Sequence, residues 1–269
     1  MTIQPHLDKS ATTPKVAVVT GAASGIGRAS AIRLAKHGYR IGLLDRPGDE
    51  LNDAVAEITA SGGEAIALEA DIAYEDQVQQ AMQKTVNTWG RLDVLFANAG
   101  INGVLTSIEE MASADWNQTL QINLTGTFLC VKYAIEPLRQ QGGSIIITSS
   151  INGNRVFSNF GMCAYSTSKA GQVAFMKMAA LELARYRIRV NAVCPGAIKT
   201  HIGENTDSRP EVKEITIPVK YPEGSQPLEH KPGSAEQVAN LVLFLASDQS
   251  SHITGTEIFI DGAESLLRG

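Results

Sequence analysis

Short β-rich apolar runs alternate with helix-length amphipathic stretches along nearly the whole chain, and that alternation admits few folds. The first unit is the most explicit. Lys15 to Thr20, carrying Val16, Val18 and Val19, runs straight into Gly21-Ala22-Ala23-Ser24-Gly25-Ile26-Gly27. Ile26 to His37 then shows helical spacing at Ile26, Ala29, Ile32 and Leu34, with Gly38 as a stop. Further strands are predicted over Arg40 to Asp45, Ala65 to Ala70, Asp93 to Ala97, Ser144 to Ser149, Ile188 to Cys194 and Glu257 to Ile260, seven in all. Helices fall between them: one ending near Ser61, one over Glu75 to Trp89, a long one N-capped by Ser113, and one over Tyr165 to Arg185. Ser234 and Gln237 form a capping-box pattern ahead of a last apolar helix. Such a sequence specifies an α/β, Rossmann-like doubly wound fold, a seven-stranded parallel sheet with helices on both faces and a ligand crevice at the carboxyl ends of its strands.

The glycine loop sits at such an end. Glycines let the backbone turn tightly and approach a diphosphate, and the next helix presents unpaired N–H groups to it. The plainer alternative is a glycine turn joining strand to helix. Asp45, 24 residues after Gly21, ends the second strand, where a carboxylate can accept both ribose hydroxyls of an adenosine and repel a 2′-phosphate. Asp45 can also be read as a turn residue ahead of Pro47-Gly48, and Arg46 beside it can partly accommodate a phosphate. The reading favoured is NAD over NADP.

At 269 residues, with 43% hydrophobic and 19% charged, the chain has the material for one sizeable core. Residues 15–269 are read as one Rossmann-fold domain preceded by a flexible polar arm, 1–14. Within it the proline-rich stretch 201–233 has no sustained period and reads as a substrate lid or irregular loop. The net charge of −5 gives no general attraction to nucleic acid or an anionic membrane. Cys130, Cys163 and Cys194 are scattered and no histidine lies at metal-ligand spacing from them, so neither a disulfide framework nor a metal is expected. The absence of a long apolar run or an apolar leader core points to the cytoplasm.

The motifs together closely resemble the short-chain dehydrogenase/reductase family over residues 15 to 262. Its T-G-x-x-x-G-x-G is Thr20 to Gly27, its adenine-side acid Asp71 followed by Ile72, and its N-A-G turn Asn98-Ala99-Gly100. Asn123 matches its asparagine, Ser150 its strand-end serine, and Tyr165 and Lys169 its Y-x-x-x-K, while Pro195-Gly196 and Asp261-Gly262 follow the sixth and seventh strands. Two departures stand out. Ala97 replaces the first residue of N-N-A-G, and Ser150 precedes Tyr165 by 15 residues where family members commonly have 13, with Asn152 in the lengthened loop. Ser149 is the alternative catalytic serine.

The resemblance implies catalysis by Asn123, Ser150, Tyr165 and Lys169. It implies a cofactor held by Gly21, Ser24, Gly25, Ile26, Gly27, Asp45, Asp71, Ile72, Asn98, Ala99, Gly100, Tyr165, Lys169, Pro195, Ile198 and Thr200. Tyr165 is a base for an alcohol proton only if its pKa falls from about 10, and Lys169, one helical turn on, lies on the same face and can stabilise phenolate. Ser150 is expected to bond the substrate oxygen, and Asn123 to hold a water that passes protons from Lys169 to solvent. The expected function is NAD-dependent hydride transfer with a small secondary alcohol or ketone (a sugar, a polyol or a small hydroxy compound). The alternatives are an NADPH-dependent reductase of 3-oxoacyl thioesters and a non-catalytic nucleotide-sensing protein. A homo-oligomer, dimer or tetramer, is implied, packed through the Ser113 and Tyr165 helices.

Overall fold

The structure, a computed structural model, describes residues 13–268 apart from 201, 204, 205, 220, 222 and 223. The proposed arm therefore lies almost wholly outside the described residues. Seven strands form one parallel sheet: β1 Val16–Thr20, β2 Arg40–Asp45, β3 Ala65–Glu69, β4 Val94–Ala97, β5 Gly143–Thr148, β6 Ile188–Pro195 and β7 Glu257–Ile260. Their order across the sheet is β7-β6-β5-β4-β1-β2-β3. From β1 the chain winds outward through β2 to β3, then crosses back over β1 to add β4 on its other side. The carboxyl ends of β1 and β4 diverge there, which opens the crevice expected of this topology.

Helices α1 (Gly25–Ala35), α2 (Asp49–Ala60), α3 (Glu75–Trp89), α4 (Ser113–Leu120), α5 (Gly126–Leu138), α6 (Cys163–Leu183) and α7 (Ala235–Ala246) cover the sheet. Alternation along β1 shows why both faces are dry. Val16 and Val18 join the core beneath α3, α5 and α6, whereas Ala17 and Val19 join the core beneath α1, α2 and α7. The capping box at α7 forms as predicted, Ser234 Oγ accepting from the Gln237 amide and Gln237 Oε1 from the Ser234 amide.

Two expectations are corrected. Ser113 is the first residue of α4 rather than its cap; Ala112 stands before it and offers no side-chain acceptor. The long helix is also not continuous, because Gln121–Thr125 forms a π-helical turn between α4 and α5. The 201–233 segment, where described, contains the short helix Val212–Ile215 and two-residue parallel ladders: Asp207–Ser208 on Val104–Leu105, and Gly233–Ser234 on Ile198–Lys199. No described helix is long and apolar enough to cross a membrane.

Candidate active site

The glycine loop takes the shape its composition allows. Gly21 and Gly25 have φ of 65° and 52°, in the left-handed region that a side chain disfavours. Gly27 is fixed by space, since a Cβ there would run into the carbonyl of Gly21. Ser24, exposed and extended, stands at the N-cap of α1 with no side-chain capping bond, which leaves the amides of Gly25, Ile26 and Gly27 without intrahelical acceptors. The Thr200 methyl closes over Gly25, 3.3 Å from where a Cβ would sit, and Pro195 ends β6 just before it. Ile198 anchors this return segment through its ladder with Gly233.

Asp45 ends β2 with its carboxylate turned to the loop. Oδ2 accepts from the Ala23 amide at 2.9 Å and Oδ1 from Arg46 at 2.8 Å, and each oxygen keeps a lone pair for a further donor. Asp71 bends the chain after β3, its carboxylate accepting from the Ala73 amide at 2.9 Å, while Ile72 is buried under Gly126. Thr20 Oγ1 accepts from the amides of Asn98 and Ala99, both at 2.9 Å. The Asn98 side chain donates to the Thr20 carbonyl and accepts from Thr148 Oγ1, so it ties the ends of β1, β4 and β5 together. A Cβ at Gly100 would lie 3.0 Å from Asn123 Oδ1 and 3.6 Å from Lys169 Nζ, so a bare backbone is needed there. A glycine-lined crevice with a helix N-terminus and an acid bonded to the loop beside it fits a dinucleotide.

The two serines separate cleanly. Ser149 donates to the Lys169 carbonyl at 2.9 Å and hydrogen-bonds the buried Cys194 thiol, so it fastens α6 to the sheet. Ser150 hydrogen-bonds the Tyr165 phenol and accepts from the Asn152 amide at 3.1 Å. Successive side chains leave a strand on opposite sides, which puts only the second serine beside Tyr165.

Tyr165 and Lys169 meet on one face of α6, with Lys169 Nζ 5.5 Å from the phenol ring centroid. Their electrostatics differ from the expectation. Burial raises the Tyr165 pKa above its ordinary value, the Ser150 hydrogen bond opposing it. Burial also pulls the Lys169 ammonium down to about 8. Lys169, 3% exposed, donates to the Thr148 carbonyl at 2.7 Å, so its charge is spent on the end of β5 rather than on the phenol.

Asn123, fully buried in the π-helical turn, clamps the backbone of Ile101 from both sides, Oδ1 accepting and Nδ2 donating at 2.8 Å. Its carbonyl accepts from Gln172 Nε2 and Thr127 Oγ1, both at 2.7 Å. Those two donors occupy the carbonyl and the Ile101 backbone occupies the amide, so these contacts make Asn123 an anchor of the turn after β4. Gln172, Ser168 and Thr148 belong to this polar knot and were not singled out by sequence, because buried polar residues on a core-facing helix or strand carry no motif of their own.

The segment 206–215 docks over this end of the sheet. Thr106 donates to Glu211 at 2.6 Å, Asn102 donates to Thr206 at 2.8 Å, and the Arg209 amide donates to the Leu105 carbonyl. Cys163 lines a separate open cleft of about 580 Å³ with Met111, Trp116, Asn117 and Thr167. No cluster of three potential metal ligands occurs among the described residues.

The family model described as Enoyl-(Acyl carrier protein) reductase matches residues 21–263. The chain belongs to the short-chain dehydrogenase/reductase family, whose members are NAD(P)-dependent oxidoreductases. A 3-oxoacyl-[acyl-carrier-protein] reductase of Synechocystis sp. is 40% identical over 94% of this chain and 98% of its own length. A cyclohexanol dehydrogenase of Acinetobacter sp. is 36% identical over 93% of this chain and 94% of its own. Among solved structures, a 3-ketoacyl-ACP reductase from Sinorhizobium meliloti superposes with a TM-score of 0.90 at 45% identity, covering 94% of this chain and 100% of that one.

Proposed function

We propose that this chain is an NAD-dependent oxidoreductase that exchanges hydride between a small secondary alcohol and its ketone. The observation that carries the reading is the hydrogen-bonded pair Ser150 and Tyr165 beside buried Lys169, at the carboxyl end of β5 and next to the glycine-lined crevice. Gly21 to Gly27, Asp45, Asp71 with Ile72, Asn98 to Gly100, Pro195, Ile198 and Thr200 would hold the dinucleotide, which supplies the hydride acceptor. Ser150 donates to the substrate oxygen. Tyr165 takes the hydroxyl proton as the carbinol hydrogen leaves as hydride, so ketone, reduced dinucleotide and one proton balance. Lys169 sets the local positive charge and Asn123 fixes the turn that backs it.

Asp45 directs the choice of coenzyme. A phosphate charge about 5 Å from its carboxylate is repelled by roughly 3 kcal/mol at an effective dielectric near 20. The expected kcat/KM with NAD therefore exceeds that with NADP by about 100-fold, measured with one alcohol at matched coenzyme concentrations. A preference for NADP would overturn the assignment and favour the second reading, reduction of a 3-oxoacyl thioester, which the activities named for the Synechocystis and Sinorhizobium proteins support.

The proposed partner is a small molecule, with neither nucleic acid nor membrane engaged, and the proposed compartment is the cytoplasm. The proposed assembly is a dimer or tetramer through α4, α5 and α6, whose outer faces leave Phe128, Met178 and Leu181 exposed. Light scattering at micromolar concentration should return a multiple of the 28.7 kDa chain mass, and a monomer would count against it.

A further inference from the structure

Gln172 lies on the inner face of α6, one helical turn beyond Ser168 and Lys169, and is 1% exposed. Only half of its carboxamide is paired. Nε2 donates to the Asn123 carbonyl at 2.7 Å and to Thr127 Oγ1 at 2.8 Å, whereas Oε1, equally buried, has no partner among the described residues. The orientation is nevertheless fixed. The Asn123 carbonyl can only accept, so turning the carboxamide over would set oxygen against oxygen. An unpaired buried acceptor costs free energy that an apolar side chain of the same size would not.

What the carboxamide holds is the π-helical turn, an irregularity that recurs at functional sites. Of the two side-chain donors on the Asn123 carbonyl, Thr127 is four residues on and makes a bond open to any helix, whereas Gln172 reaches it from another element. A second bond runs alongside. Asn123 Nδ2 donates to Ser168 Oγ at 3.0 Å, and Ser168 Oγ donates to the Tyr165 carbonyl at 2.7 Å. Asn123 is thus stapled to α6 at residues 168 and 172, with Lys169 between them in sequence, and Asn123 Oδ1 and Lys169 Nζ face the same bare backbone at Gly100. We infer that Gln172 is a positioning residue for the reaction: it fastens the π-helical turn to α6 and so sets where Asn123 stands relative to Tyr165 and Lys169. Being buried, it acts through Asn123. This inference rests on the alcohol oxidoreductase reading and adds a residue to its machinery.

Gln172→Met keeps the side-chain length and removes both donated bonds together with the unpaired oxygen. Its melting temperature is expected to stay within about 4 °C of the wild type, because the two losses oppose each other. For a secondary alcohol kcat should fall about 10- to 100-fold, the scale of a displaced catalytic group, while the NAD dissociation constant stays within about twofold. Amides of residues 121–125 should exchange hydrogen faster than in the wild type, with the rest of α5 unchanged. Gln172→Glu supplies a readout that packing alone would not move. Protonated, its hydroxyl donates to the Asn123 carbonyl as the amide does; ionised, it sets a carboxylate against that oxygen. Burial and the carbonyl favour the neutral form, so kcat relative to wild type should lie near one at about pH 6 and fall as the pH rises toward about 9. Full kcat in Gln172→Met, unchanged exchange over 121–125, or a Gln172→Glu ratio flat with pH would overturn the inference and leave the alcohol oxidoreductase reading standing. A wild type that oxidises no alcohol would sink both.

Discussion

Tyr165→Phe should lower kcat for alcohol oxidation about 1000-fold, within the range that one positioned acid–base group supplies. The substitution removes one oxygen and keeps the ring. The phenol's hydrogen-bond partner is Ser150, whose hydroxyl remains held by the Asn152 amide, so the local fold has little reason to change. Coenzyme affinity, read by fluorescence titration, should therefore stay within about threefold, and melting temperature within a few degrees. The wild-type pH profile carries the same logic. Burial holds the Tyr165 pKa above its ordinary value, so the phenol is protonated at neutral pH, ready to donate in ketone reduction and not to accept in alcohol oxidation. Oxidative kcat/KM should rise with pH and reductive kcat/KM should fall. Equal turnover in wild type and Tyr165→Phe would remove the tyrosine from its role.

Lys169→Met should cost activity by a factor of about 100 or more while making the protein more stable at pH 7. The ammonium is buried, its acceptor among the described residues is the Thr148 carbonyl, and its pKa falls from 10.5 to about 8. That depression corresponds to roughly 3 kcal/mol of destabilisation when the charge is present. The sign follows from the protons bound. Below about pH 8 the lysine is charged in folded and unfolded chains alike, and the full cost of burial applies. Between that value and 10.5 the unfolded chain binds more protons than the folded one, so wild-type stability rises with pH relative to the variant. Above both values the penalty is gone. Melting temperature should favour the variant by about 3–8 °C at pH 7 and the gap should narrow toward pH 10. A variant less stable than wild type at pH 7, or a gap that does not change with pH, would show that the Thr148 bond outweighs desolvation.

Such a cost makes sense only at a site. On the expected result for Lys169→Met, the lysine is retained against stability. Gly27 and Gly100 are a different case, since a Cβ there would press on the Gly21 carbonyl or the Asn123 side chain and the packing itself requires glycine.

The sheet was legible because its central strands, buried on both faces, are written as apolar runs between helical stretches, and because the glycine loop marks where the winding begins. Local rules carried less far elsewhere. The π-helical turn at Gln121–Thr125 leaves the apolar spacing of Leu120, Leu124 and Phe128 intact, so the pattern reads as one helix although the backbone does not. Ser149 and Ser150 are the same letter twice, and the alternation of side chains at the end of β5 sends one to the Lys169 carbonyl and the other to Tyr165. The expected stabilisation of a Tyr165 phenolate by Lys169 followed from helical spacing alone. Spacing does not show that the Thr148 carbonyl lies closer to the ammonium and takes its hydrogen bond. Asn152 and Asn159 are seven positions apart in an irregular loop, where no periodicity announces that their amides pair.

Hydride transfer itself is most directly tested by following the label from a secondary alcohol carrying deuterium on its carbinol carbon, oxidised by the wild-type enzyme with NAD. Mass spectrometry of the reduced dinucleotide should show one deuterium per molecule, transferred without loss to water. Reduced dinucleotide free of deuterium, or no reduction of NAD by any secondary alcohol tried, would contradict the account.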